Sequence, residues 1–345
     1  MIRNLTVLLI IVVLLIIGLA RYHLESVKAM RTQPVALFHW EDTTATAPIS
    51  QVARLKTFEQ TLKQRHNFGY TESIHWFRFH LNTNNLPKEL SLEIRNPGIN
   101  HLELFAVSDG KITSAGPSGD WLLFRQRPTP TQTFLYPIYQ AAYEEADYYL
   151  KIDKRYENLS TEIYLWNASD FENKDQREYF LWGLFSGIVL LIVLLNLFFW
   201  RTTQDRVYLW YGVYLVGLSL RQFADSGLSF QYFWPGFPNL NHPDPVIQAL
   251  WIYLPALIQF QQNFLEIRKV SRRLFIATQF LKYFYIVGFT GLLLLQLCDI
   301  PRQYTSSQFV LNYTHAFASL INLIVFILII LKGIRLEDPL KKIYC

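Results

Sequence analysis

Two kinds of hydrophobic pattern divide the chain. From Ile74 to Trp166 the apolar positions alternate with a period of two, as they do in half-buried β-strands. Phe77, Phe79 and Leu81 fall on one face of the segment Ile74–Leu81, and Trp76, Arg78 and His80 on the other. Leu90, Leu92 and Ile94 repeat the period, as do Leu102, Leu104 and Ala106. Further strands are expected over 35–41, 111–115, 121–125, 132–139, 147–152 and 161–166. Turn residues such as Asn96-Pro97-Gly98 and Ser108-Asp109-Gly110 separate them. Short strands punctuated in this way predict an antiparallel β-sandwich over 35–168. Before it, Val52, Leu55, Phe58 and Leu62 fall at helical spacing, which fits either a short amphipathic helix or a packed loop.

From Phe180 to Trp200 the pattern becomes an almost unbroken apolar run of 21 residues, and about 20 suffice for a helix to cross a bilayer. Four more apolar segments come after it, near 207–220, 246–265, 283–297 and 308–331. Together they predict five transmembrane helices over 180–332 and a short cytoplasmic tail over 333–345. Ser169-Asp-Phe-Glu172 has the form of a capping box, so a connecting helix is expected over 169–179, entering the first span without a break. Pro255 inside the third run is compatible with a membrane helix. The loop 221–245 is too rich in proline for a continuous helix.

The N-terminus adds an export segment. Arg3 precedes about 16 apolar residues, with Gly18 and Ala20 in place for a signal-peptidase site. Residues 1–21 are therefore a cleaved signal peptide or an uncleaved anchor, and either one exports the β-rich half of the chain. Basic residues support the orientation this implies. With Phe180 outside, the inner loops and tail hold Arg201, Arg206, Arg268, Lys269, Arg272, Arg273, Lys332, Arg335, Lys341 and Lys342, while the outer loops hold Arg221 and Arg302. This places the sandwich on the exported side of the membrane that the helices cross.

Composition agrees with a chain that uses lipid as part of its solvent: 51% hydrophobic, 16% aromatic and only 17% charged residues. The net charge of +5 is not gathered into a nucleic-acid patch. Two cysteines, Cys298 and Cys345, are too few for a disulfide framework or a zinc site. No HExxH, GxSxG, P-loop or Gly-rich dinucleotide turn appears, so no enzyme activity, metal or cofactor is expected. His75 and His80 point to opposite faces of one strand and read as solvated or interfacial side chains. Glu144, Glu145 and Asp147 read as a solvated turn. Aromatic rings beside hydrogen-bonding side chains suit sugar rings, and Trp76, Arg78, Trp121 and Arg125 are the candidate ligand-binding residues. Within the membrane half, Asn196, Arg221, Asp225, Gln248, Gln259 and Lys282 are the notable polar positions.

These features resemble the 7TMR-DISM family, bacterial seven-transmembrane receptors with diverse intracellular signalling modules. The exported half carries Phe68-Gly-Tyr70, Trp76-Phe-Arg-Phe79, Leu92-Glu-Ile-Arg-Asn-Pro-Gly98 and Tyr148-Tyr-Leu-Lys-Ile152. It looks like that family's type-2 extracellular domain, a jelly-roll similar to carbohydrate-binding modules. The membrane half carries Asn196-Leu-Phe-Phe199, Asp205-Arg-Val-Tyr-Leu-Trp-Tyr211, Gly227, Tyr232-Phe-Trp-Pro235 and Asn263-Phe-Leu265. The resemblance implies a sensor of an external ligand, possible saccharides included, that associates with lipid and acts as a homodimer or with a signalling partner. It also implies a sixth and seventh helix and an output module, which do not occur before Cys345. The alternatives are a truncated adaptor working with a separate signalling protein, and an envelope carbohydrate-active enzyme.

Overall fold

The computed structural model describes residues 32–33, 36–61, 64–82, 89–139, 145–241, 245–297, 320–328 and 331. The export segment, most of the fifth apolar run and the C-terminal tail lie outside them.

Two antiparallel sheets face each other. The first takes strands β1 (Thr32–Gln33), β11 (Glu157–Asn167), β6 (Glu89–Ile94) and β9 (Phe134–Tyr139) in that order, with β4 (Arg65–Thr71) also paired to β11. The second runs β3 (Glu59–Thr61), β2 (Leu37–Asp42), β5 (Ile74–Asn82), β10 (Glu145–Asp153), β7 (His101–Ser108) and β8 (Lys111–Ser118). The period-two residues meet between the sheets. Phe77, Phe79 and Leu81 of β5 pack with Leu90, Leu92 and Ile94 of β6 in the main core. Removing these rings and branched chains from water supplies most of the drive for the sandwich to close.

The outer faces of both sheets are also covered in part, which alternation alone does not foretell. On the second sheet, a short helix α1 (Ile49–Val52) lies over Ile74, Trp76, Phe105 and Tyr149 and makes a second apolar cluster. Asp42 anchors the turn that brings this helix in, accepting from the amides of Thr44, Ala45 and Ala47. The short amphipathic helix that the spacing of Val52, Leu55 and Phe58 allows does not form over those residues, and Leu62 lies outside the described residues. The chain leaves the helix after Val52 and pairs as β3 against β2, because edge pairing satisfies its backbone while Leu55 stays out of the core. The expected strand 121–125 is instead a turn followed by a 3-10 helix, Phe124–Gln126.

On the first sheet the cover is the long helix α2, Ala168–Thr203. It begins as β11 ends, with Asn167 serving as both last strand residue and N-cap. The capping box expected at Ser169 is therefore not used. Asn167 donates to the Asp170 side chain at 3.2 Å. At 1.5 Å per residue its 36 residues span about 54 Å, more than a bilayer's apolar thickness. Its first three turns rest on the sandwich, and the rest exposes large apolar side chains such as Phe180, Leu190 and Phe198. Among the described residues it is the one helix that is both long and apolar enough on average to cross a membrane.

The chain turns at Gln204 in a left-handed conformation, and Asp205 caps α3 (Arg206–Ser226) by accepting from the Val207 amide at 2.9 Å. Helix α3 passes the expected end at 220 and stops at Gly227, whose φ of +83° suits glycine. Next come a short helix α4 (Leu228–Tyr232), a 3-10 turn (Pro238–Asn241), α5 (Pro245–Phe264), α6 (Ile267–Val270) and α7 (Arg272–Leu297). Helix α5 continues through Pro255. Helix α3 packs on α2 and closely on α5, with Gly217 against the backbone of Tyr253.

Candidate functional site at the seam between sandwich and helix

The outer face of the first sheet meets α2 through charge. Phe171, Lys174 and Glu178 fall on one face of the helix and are buried, at the spacing that stacks side chains along one stripe. Phe171 joins Leu135 and Trp166 in a small apolar cluster. One turn on, Lys174 is 1% exposed and donates to Glu93 of β6 at 2.6 Å, while Glu93 is 0% exposed. Trp166 Nε1 donates to the other Glu93 oxygen at 2.8 Å, and Thr133 Oγ1 to the first at 3.1 Å. Glu178 receives Arg95 at 3.0 Å and Gln132 at 2.7 Å, and lies 3.4 Å from Lys174. Strands β6 and β11, with the residues flanking β6 and β9, thus grip one helix stripe through a hydrogen-bonded ionic network. Such a network has strict geometry, because any member left unpaired in this low-dielectric place costs several kcal/mol.

Neighbouring groups feel the burial. Asp175 is pushed up to about 6, first by desolvation, against the pull of Lys174, with Glu178 and Glu93 adding to the rise. For Arg95, burial acts downward, but Glu93, Glu178 and Glu162 outweigh it and raise its pKa.

A second contact region lies beneath the sandwich. The segment after α3 folds up against it: Asn241 Nδ2 donates to Asp120 O at 2.8 Å, Gln231 Nε2 to Pro130 O at 3.1 Å, and the Phe124 amide to Pro235 O at 3.2 Å. Tyr179 of α2 donates to Gln231 at 2.8 Å, tying the helix to the same loop. Arg127 is buried here, facing the rings of Phe124, Phe134 and Phe230 and donating to the carbonyls of Thr131 and Gln132. Desolvation pulls its pKa down to about 10. Between loop and sandwich is a polar cavity of about 150 Å³, lined among others by Asn96, Asp120, Lys154, Glu157, Asp225 and Asn241. Gly227 sits at its edge, where an added Cβ would lie 2.5 Å from Gln132 O and 2.6 Å from Pro97.

Residues 35–167 match the family 7TMR-DISM extracellular 2, and residues 178–337 match 7TM diverse intracellular signalling. The chain belongs to the 7TMR-DISM family. It is therefore a membrane receptor of a signalling family, with an extracellular N-terminal domain and a membrane domain behind it. None of the curated proteins searched matches the chain. In this 7TMR-DISM receptor the seam described above joins the two matched regions, and Ala168 to Arg177 is the stretch between them.

The residues singled out from sequence fall in two places. Trp76 and Arg78 do share the outer face of β5, but Trp76 is 1% exposed and sealed under α1. The pair presents no open aromatic face, because the covering segment before β3 lies on that ring. Arg78 pairs with Asp147 at 3.4 Å, which also pairs with His80 at 3.0 Å. Trp121 packs edge-on against His101, and Arg125 is exposed on the 3-10 helix at the base of the sandwich. His75 is not solvated. It is buried, bonded to His39 at 3.0 Å and to Thr71 at 2.9 Å. Glu144 lies outside the described residues, as does the Gln248 side chain. Asn196 donates to the Ile192 carbonyl of its own helix rather than to a neighbour, and Lys282 reaches Gln259 of α5 at 2.8 Å.

Glu93, Arg95, Lys174 and Glu178 were not among the candidates. A signal existed: Phe171, Lys174 and Glu178 share one stripe, and Glu93 occupies an outward position between Leu92 and Ile94. Without knowing that the stripe lies on the strand, those charges read as solvated.

Proposed function

We propose that this chain is a periplasmic sensor, in a bacterial inner membrane, that binds a saccharide between sandwich and membrane loop and reports it through α2. The observation that carries the reading is Lys174, enclosed between Glu93 of the sheet and Glu178 of the helix. A shift of the sandwich cannot leave that lysine paired unless the helix moves with it. A ligand acts on such a device only through different affinities for two of its states. The polar cavity supports this, since its walls come from both bodies and any change in their placement changes the site. Its chemistry suits hydroxyl groups: carboxylates, amides and an ammonium within one small space. Trp121 comes directly after the lining residue Asp120 and is half-buried with its ring edge-on to His101, and Arg125 is exposed on the 3-10 helix that follows. The ten basic residues on the inner side support the orientation. The proposal is for binding without turnover.

The test uses the full chain in nanodiscs, titrated with oligosaccharides of the bacterial envelope. Binding should slow or speed amide exchange over 168–179 and should weaken in Trp121→Ala. Absence of binding to every envelope glycan would remove the saccharide. Binding with no change over 168–179 would remove α2 as the route.

A further inference from the structure

A cleft of about 520 Å³ opens where the sandwich, α2 and α3 meet, and its lining is divided by depth. Its upper wall is polar: Arg95, Gln132, Glu178, Gln222 and Asp225. Its lower wall is Leu181, Trp182 and Phe185. Phe185 also begins a second cavity of about 230 Å³, which continues down the groove between α2 and α3 along Val189, Leu190, Val193, Val216, Leu220 and Phe223. The groove's two hydroxyls, Ser186 and Ser219, are turned back onto carbonyls of their own helices at 2.6 and 2.8 Å. They leave a lower groove whose hydroxyls have no hydrogen-bond donor to spare. Leu190 and Val216 on its flanks are 59% and 45% exposed, so it opens sideways toward lipid.

We infer that this continuous groove is a binding site for one phospholipid of the outward-facing leaflet, with a zwitterionic headgroup that ends in a primary amine. The charge at the mouth selects the headgroup. Glu93 and Lys174 neutralise each other in the seam one turn above. What faces the cleft is one guanidinium, Arg95, and two carboxylates, Glu178 and Asp225. Arg95 bonds Glu178 through Nη2. Asp225 makes no hydrogen bond or ion pair among the described residues. A headgroup ammonium answers Asp225, and the free donors of the planar Arg95 fork and of Gln222 answer a phosphodiester. An anionic headgroup with no amine would bring a negative charge to a mouth already one charge negative. The apolar groove below then takes one acyl chain, where burying methylenes is favourable without directional demands. A lipid seated there touches sandwich, α2 and α3 at once, so the seam's packing depends on it.

The test uses the full chain in nanodiscs and phospholipids with brominated acyl chains. Trp182 lines the cleft, and quenching is read as the difference between the wild type and Trp182→Phe. Dibrominated phosphatidylethanolamine should quench Trp182 at about two- to fivefold lower mole fraction than dibrominated phosphatidylglycerol, the range expected for one partly exposed ion pair. Asp225→Asn should abolish that preference while leaving quenching itself. Val216→Phe, which fills the groove without adding an indole, should remove quenching by both lipids. Equal quenching by the two lipids in the wild type, or a preference that survives Asp225→Asn, overturns the headgroup assignment. Cross-linking of Leu190→Cys to the native Cys298 or Cys345 in high yield would show the chain's own later segment in the groove and overturn the site.

Discussion

Single side chains decide how the two halves are joined. Lys174 is the sharpest case. Removing one member of a buried ion pair leaves its partner charged and unsolvated, at a cost of about 3–5 kcal/mol. We expect Lys174→Met to destabilise the sandwich by about that amount, and the double variant Glu93→Gln/Lys174→Met to recover much of it. Denaturant unfolding followed by Trp fluorescence reads both. If the double variant were as unstable as the single one, the pair would not be the source of the penalty. His39 gives a pH signature. Burial first, and His75 second, pull its pKa from 6.5 to about 4. The unfolded chain takes up a proton between those values and the folded chain refuses it, so stability falls as pH drops through that window and is unaffected above it. In His39→Gln the loss of thermal stability between pH 6.5 and 4 should be shallower than in the wild type. Trp76 carries the opposite lesson: its place on the outward face was legible from period two, but the helix that covers it was not.

At the scale of elements, the fit between loop and sandwich is set where backbone approaches backbone. Gly227 ends α3 with a positive φ and leaves no room for a Cβ against Gln132 and Pro97. Gly227→Ala combines backbone strain of about 1 kcal/mol or more with a clash against a carbonyl. It should therefore lift the loop from the sandwich while leaving both intact. Protease sensitivity at 228–241 should rise, and the sandwich's near-UV dichroism should not change. Unchanged protection of that loop would show that the contact is not required. The strands of the main core and the long helix were legible because periods of two and long apolar runs are local signals. The 3-10 helix at 124–126, the β3 edge and the early start of α2 were not. In each, pairing or packing with a distant segment outweighed local propensity.

For the whole molecule, the arrangement makes a topological claim that labelling can check. With Cys298 and Cys345 replaced by serine, Lys111→Cys, in an exposed strand of the sandwich, should react with a membrane-impermeant maleimide in intact cells. Thr203→Cys, at the far end of α2, should react only after permeabilisation. The reverse pattern would invert the protein. The same geometry explains why the candidate site could not be read off the chain. Glu93 and Lys174 are 81 residues apart, and Arg95 and Glu178 are 83.

What the sequence by itself determined is the division of labour. Alternating apolar residues must close into a two-faced sheet structure, and a run such as Phe180–Trp200 must seek lipid, since neither has another way to leave water. What the tertiary structure alone decided is which charges are buried. Lys174, Glu178 and Glu93 have the same side chains as any solvated surface residue, and only the docking of a helix onto a strand face turns them into a sealed ionic seam.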